Sequence, residues 1–257
     1  MSEAHILYEA REGIAYLTIN REKQRNALSA LAIDQLLEYL DQAEADSAIR
    51  AVQITGAGEK AFCTGADLGG AVGSAGGQST YQRYANLLKR IAGFPKPTVA
   101  RVRGYCLAGG MGLMLACDIV IAETTSRFGT PEVNVGLFPM MIGALIYRNV
   151  LRKSAMEMVL TGRMIEADEA RSLGLITRAV PPEQIDQTTG EILKNLAEKS
   201  PIGLKLGKEA FYAMQDKPFD QAVDYLSERL AAVAATEDAK EGIKAFMEKR
   251  PPKFTGR

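Results

Sequence analysis

Three short segments of the 257-residue chain hold groups able to steady a developing negative charge or carry a proton. Gly65-Ala66-Asp67 follows a short strand-like run, and Ala108-Gly109-Gly110 opens an apolar segment that ends at Cys117. Small residues at such turns let backbone N–H groups approach a ligand closely, and a helix starting there adds the positive end of its dipole. The chemistry on offer is oxyanion stabilisation, although glycines at a helix start also serve tight backbone packing. The third segment is Thr130-Pro131-Glu132. Thr as N-cap, Pro at the first helical position and an acid in the first turn form an ordinary helix start, in which Glu132 offsets the dipole.

Other chemistries lack their parts. The single histidine, His5, reads as a solvated side chain at a chain end, so Ser-His-Asp, Cys-His and His-based metal sites have nothing to build on. Cys63, Cys106 and Cys117 are odd in number and lack metal-ligand spacing, which suits a reducing compartment rather than a disulfide framework. Cys63, with no histidine to activate it, reads as a small core residue. Gly56-Ala57-Gly58-Glu59-Lys60-Ala61 matches the dinucleotide pattern G-x-G-x-x-G/A, but no helix starts there and no acid follows at the ribose-binding distance. A phosphate-binding P-loop is also missing. Carboxylates, backbone amides, lysines and tyrosines remain, and no metal is expected.

The elements that must position these groups follow from the pattern. Ile6–Ala10 and Ile14–Ile19 form a hairpin around Arg11-Glu12-Gly13. Ser29 precedes a helical stripe of Ile33, Leu36, Leu37 and Leu40. Ala51–Thr55, Thr98–Val102 and Asp118–Ala122 read as strands, with a small buried helix at Ala108–Cys117. Strands and helices alternate to about residue 180, the signature of an α/β domain with parallel pairing. Ile185–Glu198, Gly203–Met214, Phe219–Val233 and Ala239–Lys249 then read as helices. Among them Phe219, Val223, Leu226, Leu230 and Val233 form an apolar stripe that needs a covering surface. No internal repeat is visible. The glycines between Gly69 and Gly77 read as a loop placed to act as a lid.

Composition narrows the class further. Apolar residues make up 47% and charged residues 24%, and 31 basic residues balance 31 acidic ones, so a nucleic-acid partner is not expected. Leu68–Cys117 is nevertheless free of acids while holding Arg83, Lys89, Arg90, Lys96, Arg101 and Arg103. It is either a solvated basic face or a field that attracts a phosphorylated ligand. The N-terminus lacks the apolar core of a secretory signal, and no apolar run approaches the roughly 18–20 residues that span a bilayer, so a cytoplasmic protein is expected.

Taken together, five segments resemble the crotonase superfamily, also called the enoyl-CoA hydratase/isomerase family. They are ITGAGEKAFCTGADL (Ile54–Leu68), VRGYCLAGGMGLMLACDIVIA (Val102–Ala122), FGTPEVNVGLFP (Phe128–Pro139), MVLTGRMIEADEARSLGLI (Met158–Ile176) and EGIKAFMEKR (Glu241–Arg250). The resemblance implies an α/β fold: a spiral of ββα units over residues 1–195, then a helical oligomerisation region over 196–257. Assembly as a homotrimer or a dimer of trimers follows from it. It also implies an acyl-CoA thioester substrate, with coenzyme A entering only as part of that substrate. The amides of Ala66 and Gly109 would form the oxyanion hole, Ala66, Asp67, Leu68 and Gly69 would line the ligand's path, and Lys249 would meet the CoA phosphates. The basic stretch would assist it there.

One departure from the family pattern bears on the chemistry. Hydratases of this family use two glutamates; the second is present as Glu132, whereas Gly112 replaces the first. Hydration needs a held water, a base and an acid. Moving a double bond from the 3- to the 2-position needs one group that removes a proton and returns it elsewhere. A single Glu132 therefore fits isomerisation slightly better than hydration, in which one carboxyl would serve both roles or other groups would orient the water. Decarboxylation, thioester hydrolysis and non-catalytic acyl-CoA binding are the alternatives. The run Gly136–Tyr147, with Phe138, Met140 and Met141, is expected to line the acyl pocket or to pack in the core.

Overall fold

The computed structural model describes residues 4–66 and 80–257. Asp67, Leu68, Gly69 and the glycine cluster expected to act as a lid lie outside the described residues. The chain opens with an antiparallel hairpin, β1 (Ile6–Arg11) and β2 (Ile14–Ile19), with Ile6 opposite Ile19. Its two loop residues, Glu12 and Gly13, both take positive φ (51° and 77°), which suits the twist of the paired strands. Helix α1 (Ala30–Ala45) follows, and the Ser29 hydroxyl accepts from the Ala32 N–H at 3.1 Å, as its cap position predicts. His5 departs from expectation. It is half-buried, and its Nδ1 lies 2.7 Å from Ser29 Oγ, so it adjoins a helix cap rather than standing in solvent.

The next three stretches share one plan. β3 (Ala51–Gly56), β4 (Ala61–Cys63) and α2 (Thr80–Ala92) form the first. β5 (Thr98–Val102), β6 (Tyr105–Leu107) and α3 (Gly109–Ala116) form the second. β7 (Ile119–Glu123), β8 (Arg127–Gly129), a 3-10 turn at Pro131–Val135 and α4 (Met140–Asn149) form the third. After them come α5 (Arg152–Thr161), β9 (Ile165–Glu166), α6 (Ala167–Ser172) and β10 (Arg178–Val180). Each first strand joins a six-stranded sheet of order β1-β2-β3-β5-β7-β10, and each second strand joins a four-stranded sheet of order β4-β6-β8-β9. The chain therefore advances one strand per turn in two sheets at once, the expected spiral of ββα units. The repeat lies in geometry alone, which is why the residue pattern does not display it.

Burial follows this plan. Every residue of β3 is buried, as a central parallel strand covered on both faces requires. In α3, all residues from Gly110 to Ala116 are buried, so the helix carries no polar face. The acid-free stretch is corrected by the fold. Arg83 pairs with Asp34 (2.8 Å), Arg90 with Asp41 (2.8 Å) and Glu44, Arg101 with Asp186 (2.5 Å), and Arg103 with Asp186 (2.8 Å) and Glu123 (3.1 Å). Lys96 donates to the carbonyls of Ala43 and Asp46. Acids distant in sequence thus neutralise most of the stretch, and Lys89 alone of the six has no polar partner among the described residues. Little field is left over to draw in a phosphate.

Four helices close the chain: α7 (Ile185–Ala197), α8 (Pro201–Met214), α9 (Phe219–Ala234) and α10 (Glu237–Met247). The first packs Ile185 and Leu193 against Ile14, Ala51, Val99 and Ile121 of the large sheet. The other three bury little; Ala210 in α8 and Ala222 in α9 are the sole buried residues of those helices. Phe219, Val223 and Leu230 are exposed, as are Phe246 and Met247. Within the chain the stripe is only partly covered, with Leu226 and Val233 half-buried.

A buried carboxylate holds the C-terminus. Asp238 accepts from Ser200 Oγ at 2.8 Å, from the Thr255 N–H at 2.7 Å and from the Gly256 N–H at 3.1 Å. Burial pushes this carboxyl up, yet the hydrogen bonds prevail and hold it below the ordinary aspartate range. An acid with a depressed folded-state pKa contributes stability above its unfolded pKa, and that stability is lost as pH falls through the folded value. Asp238→Ala is expected to cost about 3 kcal/mol at neutral pH, since it strands several donors to a charged acceptor. Urea unfolding at pH 7 measures this; an unchanged midpoint would contradict the pinning role.

Candidate active site

The two glycine-bearing turns meet. Gly65 follows β4 with a φ of +100°, and a Cβ built on it would lie 2.8 Å from Ala108 Cβ and 3.1 Å from Gly109 N. A side chain on Gly65 would hold the turns apart, so the position needs glycine for both its backbone angle and its space. Gly65 accepts from the Leu28 N–H at 2.7 Å, which fixes the strand end just before Ala66. Ala108, the N-cap of α3, adopts φ 49° and ψ −127°, a conformation costly for a residue with a Cβ. Its N–H donates to Gly129 O at 2.9 Å and its carbonyl accepts from Met111 N at 2.9 Å. That strained residue sets the direction of the next amide, Gly109. Among the described residues, neither the Ala66 nor the Gly109 N–H has a hydrogen-bond acceptor. The Gly109 N–H is one of the free donors that every helix start leaves.

Glu132 reaches the same neighbourhood through β8. Gly129 is tied to Ala108, and three residues later the chain is at Glu132, a separation of no more than about 11 Å even if fully extended. Expectation and structure differ in detail here. Pro131–Val135 is a 3-10 turn rather than an α-helix, and the Thr130 hydroxyl is buried without a partner instead of capping it. Glu132 is half-buried, and its Oε2 is shielded from solvent with no hydrogen-bond partner among the described residues. Burial raises its pKa above the ordinary 4.5, with its own backbone N–H pulling weakly the other way. No cation stands against it in that balance. Such a carboxyl exchanges protons closer to neutrality than an exposed glutamate does.

The place of the absent second carboxylate is filled. A Cβ built on Gly112 would overlap the Tyr84 hydroxyl and Ile142 Cγ2 and lie 3.3 Å from Leu88 Cδ2. Tyr84 was not among the residues singled out from sequence, because with Leu87, Leu88 and Ile91 it forms an ordinary buried stripe on α2. No local signal distinguishes it. Its hydroxyl donates to the Gly109 carbonyl at 2.5 Å.

Other expected residues fall elsewhere. Lys249 is exposed, with φ +53°. Phe138 and Met140 are not core residues in the single chain; both are exposed, Met140 by 74%, while Met141 packs partly against the core. Cys63 is buried, and burial pushes its thiol up to about 12, in keeping with a core role. After Gly56 the chain enters a bend and β4 rather than a helix, so the dinucleotide pattern is incidental. Among the described residues no group of three or more His, Cys, Asp or Glu could hold a metal, and no helix is long and apolar enough to cross a membrane.

Comparison with known proteins gives one answer along nearly the whole chain. A family model described as enoyl-CoA hydratase/isomerase matches residues 9–257. A Thermus thermophilus protein provisionally named an enoyl-CoA hydratase is 39% identical over 94% of this chain and 97% of its own length. A short-chain-enoyl-CoA hydratase of Clostridium acetobutylicum is 33% identical over 96% of this chain and 95% of its own. The crystal structure of an enoyl-CoA hydratase from Mycobacterium smegmatis superposes with a TM-score of 0.93 at 33% identity, covering 98% of this chain and 99% of that one. Likeness of that extent in both sequence and fold goes beyond shared architecture: the chain belongs to the enoyl-CoA hydratase/isomerase family of the crotonase superfamily, whose enzymes act on acyl-CoA thioesters.

Proposed function

We propose that the Ala66 and Gly109 amides hold the thioester oxygen of an enoyl-CoA while Glu132 moves a single proton, shifting the double bond from the 3- to the 2-position. Ionised Glu132 takes a proton from C2 of the 3-enoyl thioester, and the C–H electron pair spreads to the thioester oxygen as a dienolate. The two amides stabilise that charge. Glu132, now protonated, returns the same proton at C4, the electrons close C2=C3, and no atom is gained or lost. The observation that supports this reading is the packing at Gly112, where a Cβ would overlap the Tyr84 hydroxyl and Ile142 Cγ2, so a carboxylate there would require both side chains to move. The uncovered apolar faces of α8, α9 and α10 support assembly with further copies of the chain. The reading assigns Lys249, which is exposed in the single chain, to the CoA phosphates in such an assembly.

Hydration is the second reading, favoured by the names of the relatives. The two separate in a paired assay with but-3-enoyl-CoA and crotonyl-CoA, following crotonyl-CoA and 3-hydroxybutyryl-CoA as products. Isomerisation is expected to outrun hydration. Hydration alone would overturn the proposal, and tight binding without turnover would reassign the chain as an acyl-CoA binder.

A further inference from the structure

Gly109 is the least constrained residue of the candidate oxyanion turn, since glycine leaves both backbone angles soft. It is held from both sides. On one side Ala108 is fixed by its N–H to Gly129 O and by its carbonyl to Met111 N. On the other side the Gly109 carbonyl accepts the Tyr84 hydroxyl at 2.5 Å, and a Cβ on Gly109 would lie 3.4 Å from both Cζ and the hydroxyl of Tyr84. The Tyr84 ring therefore lies against Gly109 while its oxygen occupies the volume beside Gly112. The hydroxyl also lies within electrostatic range of Glu132, and burial pushes its pKa up, which favours the protonated, donating form. One side chain thus adjoins the amide turn, the emptied carboxylate position and the remaining carboxylate.

We propose that Tyr84 is a positioning residue: it clamps Gly109 so that its N–H points at the thioester oxygen, and it occupies the space a second carboxylate would need. This rests on the assignment of the Ala66 and Gly109 amides made above. A donor aimed in advance accelerates the reaction because no reorganisation is needed as charge develops, so the clamp acts on the transition state more than on substrate binding.

Tyr84→Phe keeps the ring and removes the clamp. The expected result is a fall in kcat of about tenfold, the worth of one hydrogen bond, with KM within about twofold of the unaltered enzyme. Leu88→Val serves as the control, because it withdraws the Leu88 Cδ2 that packs beside Gly112 without touching the hydrogen bond; its kcat should hold. A second readout needs no turnover. The carbonyl stretch of bound butyryl-CoA, labelled with carbon-13 at the thioester, should lie below that of the free compound in the unaltered enzyme. Tyr84→Phe should move it back toward the free value. An unchanged kcat together with an unchanged stretch in Tyr84→Phe would overturn the role, as would a rise in KM alone or an equal loss in Leu88→Val. If the unaltered enzyme does not isomerise, the reaction assignment fails by itself, and the stretch still decides the role of Tyr84.

Discussion

Glu132→Gln is expected to lower turnover by about 10²–10⁴-fold, the range supplied by a positioned acid/base, while acyl-CoA binding is retained. Glutamine preserves the shape of the side chain and removes only its capacity to exchange a proton. The burial that raises the Glu132 pKa also fixes the sign of the pH response. As a base the group must be ionised, so kcat/KM of the unaltered enzyme should rise with pH along a limb centred above the ordinary 4.5, and Glu132→Gln should lack that limb. Stability runs the other way. An acid whose folded-state pKa is raised opposes folding increasingly as pH climbs from its unfolded value through its folded value. Glu132→Gln removes this penalty, so its unfolding midpoint at neutral pH should not drop. Steady-state kinetics, calorimetric titration with an unreactive acyl-CoA and thermal unfolding check the three parts. Full activity in Glu132→Gln would move the chemistry to another group.

Gly110→Ala is expected to reduce kcat/KM by about 10²–10³-fold, the cost of losing one oxyanion donor. A Cβ built on Gly110 overlaps the Cys63 carbonyl oxygen and lies 2.7 Å from the carbonyl carbon and 2.9 Å from Cys63 Cβ. Cys63 ends β4, so the obstruction is backbone that cannot swing aside as a surface side chain would. Relief requires the start of α3 to back away from β4, which separates Gly109 from Gly65 and so spreads the two amides. Overpacking of this kind also costs about 1–3 kcal/mol of stability. Activity measured at a temperature well below unfolding separates the two effects, and a well-folded Gly110→Ala with normal kcat/KM would show that the spacing of the turns is not critical.

What could be read from sequence was local. The Ser29 cap, the hairpin, the buried helix after Ala108 and the family segments around Ala66, Gly109 and Glu132 each depend on neighbours within a few residues. What escaped depends on contacts across long separations. Arg83 and Arg90 look unpaired in a stretch without acids, yet their partners lie on α1, 46 to 49 residues away. His5 stands near a chain end but meets Ser29, 24 residues on, because β1 runs beside the start of α1. Tyr84 carries no sign of its place, since a tyrosine in an apolar helical stripe is the ordinary appearance of core. Thr130 misled in the opposite sense: its residue type suits a cap, but the proline turn it precedes is 3-10 and leaves the hydroxyl without a partner.

The interlock between positions 84 and 112 constrains how chains of this kind can diverge. Placing an acidic side chain at 112 while the phenol stays overfills the interior, and trimming the phenol while the glycine stays leaves it hollow. Either lone change is expected to weaken the fold, so the two positions are expected to change together. The step between proton shuttling with one carboxylate and with two is thus epistatic, and it is governed by shape before chemistry has any say.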